Sequence, residues 1–286
     1  MTEAVNVFRM RPMSHHFEVN GLRLHYLDWG EGPSQNLFLL HALTFNAHNW
    51  DDFAKDVSNR YRVVSIDFRG HGESGHATDG YSLEKYAADV QAVARHLNVR
   101  TFHLAGHSLG ALVGIRLAAT QPKLVSKLVL VDGGPGINVE PARQSELPRF
   151  TRPLGFATDA EAKAWLRQTY SAESAERAEA RLPHEMKQNW AGQWVFRSDP
   201  ELWWFIASDA AFKQHTDELW QMLPAVQCPT LFLHGKNSRL TSAEAAQRIV
   251  DALPQGRLLD IPGARHTVHT DQPVAFKEAV LDFLQQ

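Results

Sequence analysis

Cysteine is almost missing from this chain of 286 residues: Cys228 is the only one. A lone cysteine excludes an internal disulfide and a thiolate metal cluster. Beside Pro229 and ahead of an apolar run, it reads as a buried structural thiol and not as a nucleophile. Long apolar runs are lacking too, since no stretch reaches eighteen residues, and Met1 to Pro12 has no apolar centre of the signal-peptide kind. Together these features lead us to expect a cytoplasmic protein with no membrane partner. Positive charge is not in excess either. Lys and Arg number 29 against 32 Asp and Glu, a net charge of −3 with His neutral, so there is no basic footprint for nucleic acid. The chain holds fifteen histidines, yet none stands in a His-Glu-x-x-His pattern or a Cys-rich ligand set, and no metal or cofactor is expected.

What is present is 44 % hydrophobic residues and 21 % charged ones, enough for one large globular domain with an insertion. Short apolar runs alternate with helical periodicity. Asn36 to His41, Tyr61 to Ile66, Phe102 to Ala105, Leu124 to Val131 and Thr230 to His234 read as the central strands of a mostly parallel sheet covered on both faces by helices. His16 to Asn20 and Leu22 to Asp28 read as an antiparallel edge hairpin around Asn20-Gly21. Tyr86, Val90, Val93 and Leu97 share one helical face, and Thr241-x-x-Glu244 reads as a capping box that starts another helix. The alternation stops between Gly133 and about Leu223, where six of the eight tryptophans accumulate. The expected layout is a core in two parts, residues 1–132 and 224–286, with a helical cap over 133–223. Trp165, Trp190, Trp194, Trp203, Trp204 and Trp220 suit either the core of that cap or the walls of an apolar pocket.

The chemistry concentrates at Gly106-His107-Ser108-Leu109-Gly110. A serine between two glycines, after an apolar strand and ahead of the apolar helix Ala111 to Ala118, has the form of a nucleophile elbow. The turn is so tight that a Cβ on either flank would collide. Serine is a weak nucleophile at neutral pH, so Ser108 needs a histidine to take its proton and an acid to orient that histidine. His266 is our candidate, in the loop Ile261-Pro262-Gly263-Ala264-Arg265-His266 ahead of a helix from Pro273 to Leu284. His269 competes with it. Asp132, at the end of the sixth strand, is a candidate for that acid. Asp271 is expected to cap the last helix.

His41-Ala42-Leu43, Asp67-Phe68-Arg69-Gly70-His71-Gly72-Glu73-Ser74, the Ser108 elbow and Gly263-x-x-His266 together resemble the α/β-hydrolase superfamily. The resemblance spans nearly the whole chain outside the insertion. It implies an α/β-hydrolase fold with an eight-stranded sheet and an inserted helical lid. It also implies a serine hydrolase acting on a small-molecule ester or amide, with an oxyanion hole formed by the backbone N–H groups of Leu43 and Leu109. Ala42 stands where the superfamily usually has glycine, and Asp67 and Arg69 belong to a structural turn. Most members of the superfamily carry the triad acid after the seventh strand, where His234-Gly235-Lys236-Asn237-Ser238 has no carboxylate, so the resemblance implies Asp132 in that role. An acid after the sixth strand, with Gly235-x-x-Ser238-Arg239-Leu240 after the seventh, is similar to the (acetamidomethylene)succinate hydrolases. That resemblance implies a supporting hydrogen bond from Ser238 and substrate contacts from Arg149 and Tyr170. Thr169 stands where a second arginine would be, with Arg167 two residues earlier. Two other classes share the fold. Cofactor-free dioxygenases use the histidine as a base, but tend to carry His where Leu109 stands, and non-hydrolytic ligand-binding members need no complete triad. Haloalkane dehalogenases need an aspartate nucleophile, which Ser108 excludes. Nothing in the sequence fixes the oligomeric state.

Overall fold

The structure is a computed structural model that describes residues 11–19, 21–30, 35–138, 152–171, 173–205 and 209–286, with positions 203–205 and 209–212 described by backbone alone. The main sheet has eight strands in the order β1-β2-β4-β3-β5-β6-β9-β10. These are β1 (Met13–Val19), β2 (Leu22–Asp28), β3 (Asn36–Leu40), β4 (Arg62–Asp67), β5 (Phe102–His107), β6 (Val125–Val131), β9 (Thr230–Gly235) and β10 (Gly256–Ile261). β1 and β2 run antiparallel at one edge, and every pair from β4 through β10 is parallel. The edge hairpin is therefore present, and Gly21 takes φ 75° in its turn; Asn20 lies outside the described residues.

Parallel strands buried on both faces need apolar side chains on both, and β3, β5 and β6 are buried almost throughout. Two core clusters result. One packs Phe38, Leu104, Leu128 and Phe232 against α2 (Leu83–His96) and α3 (Leu109–Thr120). The other packs Leu37, Leu39, Val129 and Leu231 against α1 (Asp51–Val57) and the terminal helix Pro273–Gln285. Tyr86, Val90 and Val93 are buried on the inner face of α2, as their spacing predicts, and Leu97 caps its C-terminus.

Between β6 and β9 the described elements include α4 (Asp159–Thr169), α5 (Ala175–Ala180), α6 (Leu182–Glu185) and α7 (Asp209–Met222). A two-stranded antiparallel sheet, β7 (Met186–Gln188) with β8 (Trp194–Phe196), is the one element here that the periodicity did not announce. A small core of Ala162, Leu166, Ala178, Leu182 and Met186 holds these pieces together and continues into Ala42 and Phe45 of the main domain. Trp165 and Trp194 pack against this core, whereas Trp190 is 97 % exposed and serves neither core nor pocket.

Two capping expectations are corrected. Helix α8 (Ala243–Asp251) is capped by Ser242, whose hydroxyl accepts from the Ala245 N–H; Thr241 is buried and turned inward. Asp271 closes α9 (Val268–Asp271) and binds Arg265 through its backbone N–H at 2.8 Å and its guanidinium at 2.6 Å, so α10 (Pro273–Gln285) starts without a side-chain cap. A neighbouring arginine outcompetes the helix N-terminus for that carboxylate, as a full charge does over a partial one. Cys228 is buried, which pushes its thiol up to about 11.

Candidate functional site

Three adjacent parallel strands, β5, β6 and β9, end side by side. The Ser108 N–H donates to the Val131 carbonyl at 3.1 Å and the Asp132 N–H to the Leu233 carbonyl at 2.8 Å, so each strand end is tied to the next. Ser108 sits at φ 53°, ψ −110°, a conformation that costs a side-chain-bearing residue on the order of 1–3 kcal/mol. The flanking glycines are required by contact: a Cβ on Gly106 would lie 2.2 Å from the Gly110 carbonyl oxygen, and one on Gly110 would lie 2.3 Å from that of Leu40. The elbow presses α3 against the sheet so closely that no larger residue fits.

Asp132 also has positive φ, at 43°. Its side chain is fully buried, and its Oδ2 lies 2.7 Å from Nδ1 of His266, whose side chain is 21 % exposed. The imidazole donates from Nδ1, which directs Nε2 away from the carboxylate. The carboxylate is held by two more donors, the Gly235 N–H at 3.1 Å on Oδ1 and the Ser238 hydroxyl at 2.6 Å on Oδ2. Ser238 is itself fixed, accepting from the Leu240 and Thr241 N–H groups at 3.2 Å each. A Cβ on Gly235 would meet the Arg265 carbonyl oxygen at 2.0 Å, so this glycine lets the histidine loop lie on the end of β9.

Further histidines surround this pair. His107 Nε2 donates to the His266 carbonyl at 3.0 Å, and burial, with His266 and His269 beside it, pushes its pKa well below the usual histidine range. His269 is buried and stacked on Trp50 at 4.4 Å; burial, with Arg181 and His266 nearby, pushes it down to about 3. Its Nε2 lies 2.6 Å from Asn49, so His269 is a packed neutral ring, and His266 alone of the two contacts Asp132.

Leu109 opens α3 directly after Ser108, and Leu43 lies in the loop after β3. That loop is positioned by His41, buried, which donates from Nδ1 to the Ala42 carbonyl at 2.7 Å and accepts the Phe68 N–H at Nε2 at 3.1 Å. Thr44 follows at φ 66°. Asp67 accepts the Ala47 and Glu73 N–H groups at 2.6 and 2.8 Å, and Arg69 binds Asp89 through two nitrogens at 2.6 and 2.8 Å.

A cavity lies over this loop, with Thr44, Phe45 and Asn46 on the sheet side and Arg152, Trp165, Tyr170 and Phe196 opposite. Ser108 is not among its walls. Arg152 stacks over the Phe196 ring at 4.3 Å and donates to the Ser198 hydroxyl at 2.6 Å, giving the cavity an apolar and a cationic side. Tyr170 faces it, but its hydroxyl donates to Glu185, and Arg181 stacks on its ring at 4.2 Å while holding Glu173 at 2.7 Å. Arg167 pairs with Glu179 on the surface. Arg149 lies outside the described residues. Of the six tryptophans, Trp165 is the one that reaches this cavity among the described side chains. Arg181 was not singled out by sequence, because its role depends on Tyr170, Glu173 and Glu185 folding around it.

The family whose members share the alpha/beta hydrolase fold matches residues 35–273, a span that includes Ser108, Asp132 and His266. The chain belongs to that family. Among curated relatives of this α/β-hydrolase, the 2-(acetamidomethylene)succinate hydrolase of Mesorhizobium japonicum is 28 % identical, over 95 % of each chain. The sn-1-specific diacylglycerol lipase ABHD11 of Mus musculus is also 28 % identical, over 89 % of this chain and 82 % of its own. Among solved structures, that of an E-2-(acetamidomethylene)succinate hydrolase superposes with a TM-score of 0.84 at 25 % identity, covering 96 % of this chain and all of its own. The chain is accordingly an enzyme, a hydrolase of this fold.

Proposed function

We propose that this α/β-hydrolase cleaves a carboxylic ester or amide of a small molecule through an acyl-enzyme. Ser108 Oγ attacks the carbonyl carbon while His266 Nε2 takes the hydroxyl proton. Asp132 holds the Nδ1–H tautomer and steadies the imidazolium, and the N–H groups of Leu43 and Leu109 receive the charge on the carbonyl oxygen. Protonation of the leaving group by His266 releases the first product, and water activated by the same histidine releases the acid. No step requires a metal or an organic cofactor. Residues 133–223 act in this reading as a cap whose inner wall selects the acyl or leaving group, with Tyr170 and Arg152 facing the substrate.

The observation that carries the reading is the 2.7 Å contact from His266 to the fully buried Asp132, one strand away from a serine held at φ 53°. Support for the substrate class comes from the relatives, one named for a diacylglycerol and one for an acetamidomethylene succinate. The test is product release from p-nitrophenyl acyl esters of increasing length beside the acetamidomethylene succinate enamide, with Ser108→Ala as the blank. Ser108-dependent cleavage of either set is expected. Turnover that persists in Ser108→Ala, or that consumes oxygen, would overturn the proposal.

A further inference from the structure

At the edge of the sheet, on β1 and β2, a second group of titratable side chains meets that the hydrolytic reading does not use. His16 on β1 is register partner to His25 on β2, and their rings lie 4.6 Å apart. The turn after β4 brings Glu73 across them, with Oε2 3.3 Å from His16 Nε2. One ligand atom from each of the three residues lies within 4.8 Å of the others, the single group of this kind among the described residues.

The histidines present the lone pairs a cation needs. His25 donates from Nδ1 to Asp67 at 2.7 Å, and both side chains are buried. That is the carboxylate–histidine arrangement that orients a ligating ring, and it leaves Nε2 with its lone pair outward, accepting from the Ser14 hydroxyl at 2.9 Å, a bond that an ion would replace. His16 Nε2 is buried and has no hydrogen-bond partner of proper geometry. With bonds of about 2.0–2.1 Å, a tetrahedral zinc spaces its ligand atoms about 3.3–3.4 Å apart, which the His16 to Glu73 separation of 3.3 Å already matches. A surface cleft lined by His16 and Glu73 gives an ion a way in. Basic groups also border it. Arg197 approaches Glu73 at 3.9 Å through Oε1, the oxygen the ion does not need, and Arg23 and Lys187 line the same cleft.

We propose that His16, His25 and Glu73 form a binding site for a divalent cation of the zinc type, with solvent completing the coordination. Two imidazoles and a carboxylate are the ligand set such borderline cations favour. The ion pins β1 and β2 to the turn after β4, and through Asp67, which also accepts the Ala47 N–H, to the loop after β3. Its role is to clamp that edge, with no part in bond cleavage.

The test uses the full chain, freed of any histidine tag and treated with chelator, titrated with Zn²⁺ by calorimetry and with Co²⁺ by visible absorption. One equivalent of saturable binding is expected, with a Tm rise of about 5 °C at a hundredfold excess over Kd. Both should vanish in His16→Gln and in Glu73→Gln and persist in His48→Gln, which removes a separate histidine pair with His184. Should a variant fail to fold, the imidazole NMR signals of His16 and His25 in the unaltered protein must shift at one equivalent while that of His266 does not. Absence of saturable binding, binding that survives both ligand substitutions, or shifts confined to other histidines would overturn the site.

Discussion

Two regions of the molecule are held in place by different means. At the strand ends, Ser108, Asp132 and His266 are positioned chiefly by backbone: strand ends bonded to each other, glycines where a Cβ would collide, and the Gly235 N–H aimed at the Asp132 carboxylate. Around the cavity, Tyr170, Glu173, Glu185 and Arg152 are positioned by other side chains, chiefly through the partly buried Arg181 and the Phe196 ring. Backbone geometry tolerates little change, whereas an ion-pair cluster can be rebuilt with other residues. In the proposed reading, such a division lets one reaction serve many substrates, with the chemistry on the backbone-held residues and selection on the cluster that can be rebuilt.

Substitutions at the strand ends should therefore damage the rate with every substrate. Ser108→Ala and Asp132→Asn are each expected to lower kcat by about 10⁴-fold or more without loss of fold, the first by removing the nucleophile and the second by favouring the wrong histidine tautomer. Steady-state kinetics beside circular dichroism check both, and a near-unaltered Asp132→Asn enzyme would break the assignment of the acid. Ser238→Ala should cost less, roughly 10- to 100-fold in kcat, because one charge-assisted bond to Asp132 is lost while those from Gly235 and His266 remain.

In the cavity over the loop after β3, Arg152→Gln should leave kcat for a small neutral ester within about threefold, while raising KM for a carboxylate-bearing substrate by about tenfold. A uniform fall in kcat for both would place Arg152 with the strand-end residues and blur the distinction. A different kind of effect concerns pH. His269 is held at about 3, below its unfolded value near 6.5. Unfolding at mildly acidic pH thus takes up a proton that folding had excluded. Its contribution is complete above about pH 6.5 and declines as pH falls toward 3, by about 1.4 kcal/mol per pH unit in that window. Urea midpoints at pH 7.5, 6 and 5 should fall in that order, and less steeply in His269→Gln.

The same division explains what the sequence disclosed. Strands, the elbow and the Asp132 to His266 pairing were legible because each rests on a local pattern: an apolar run, glycines around a serine, a carboxylate at a strand end. Asp271 and Thr241 were misread as caps because Arg265 and the buried end of β6 supply partners that no local window contains. Arg181 and Glu185, at the two ends of one short helix, meet Tyr170 at the end of another, and the β7–β8 ribbon is too short for a period to show. His16, His25 and Glu73 escaped every ligand motif because antiparallel pairing and a distant turn, and not spacing along the chain, bring them together.

Intact-mass analysis after rapid mixing with an activated acyl ester tests the central claim most directly. His266→Ala, slowed in deacylation, should accumulate one acyl group, located by peptide mapping on Ser108, and Ser108→Ala should gain none. An acyl group on another residue, or turnover of the ester by Ser108→Ala at the unaltered rate, would contradict the account.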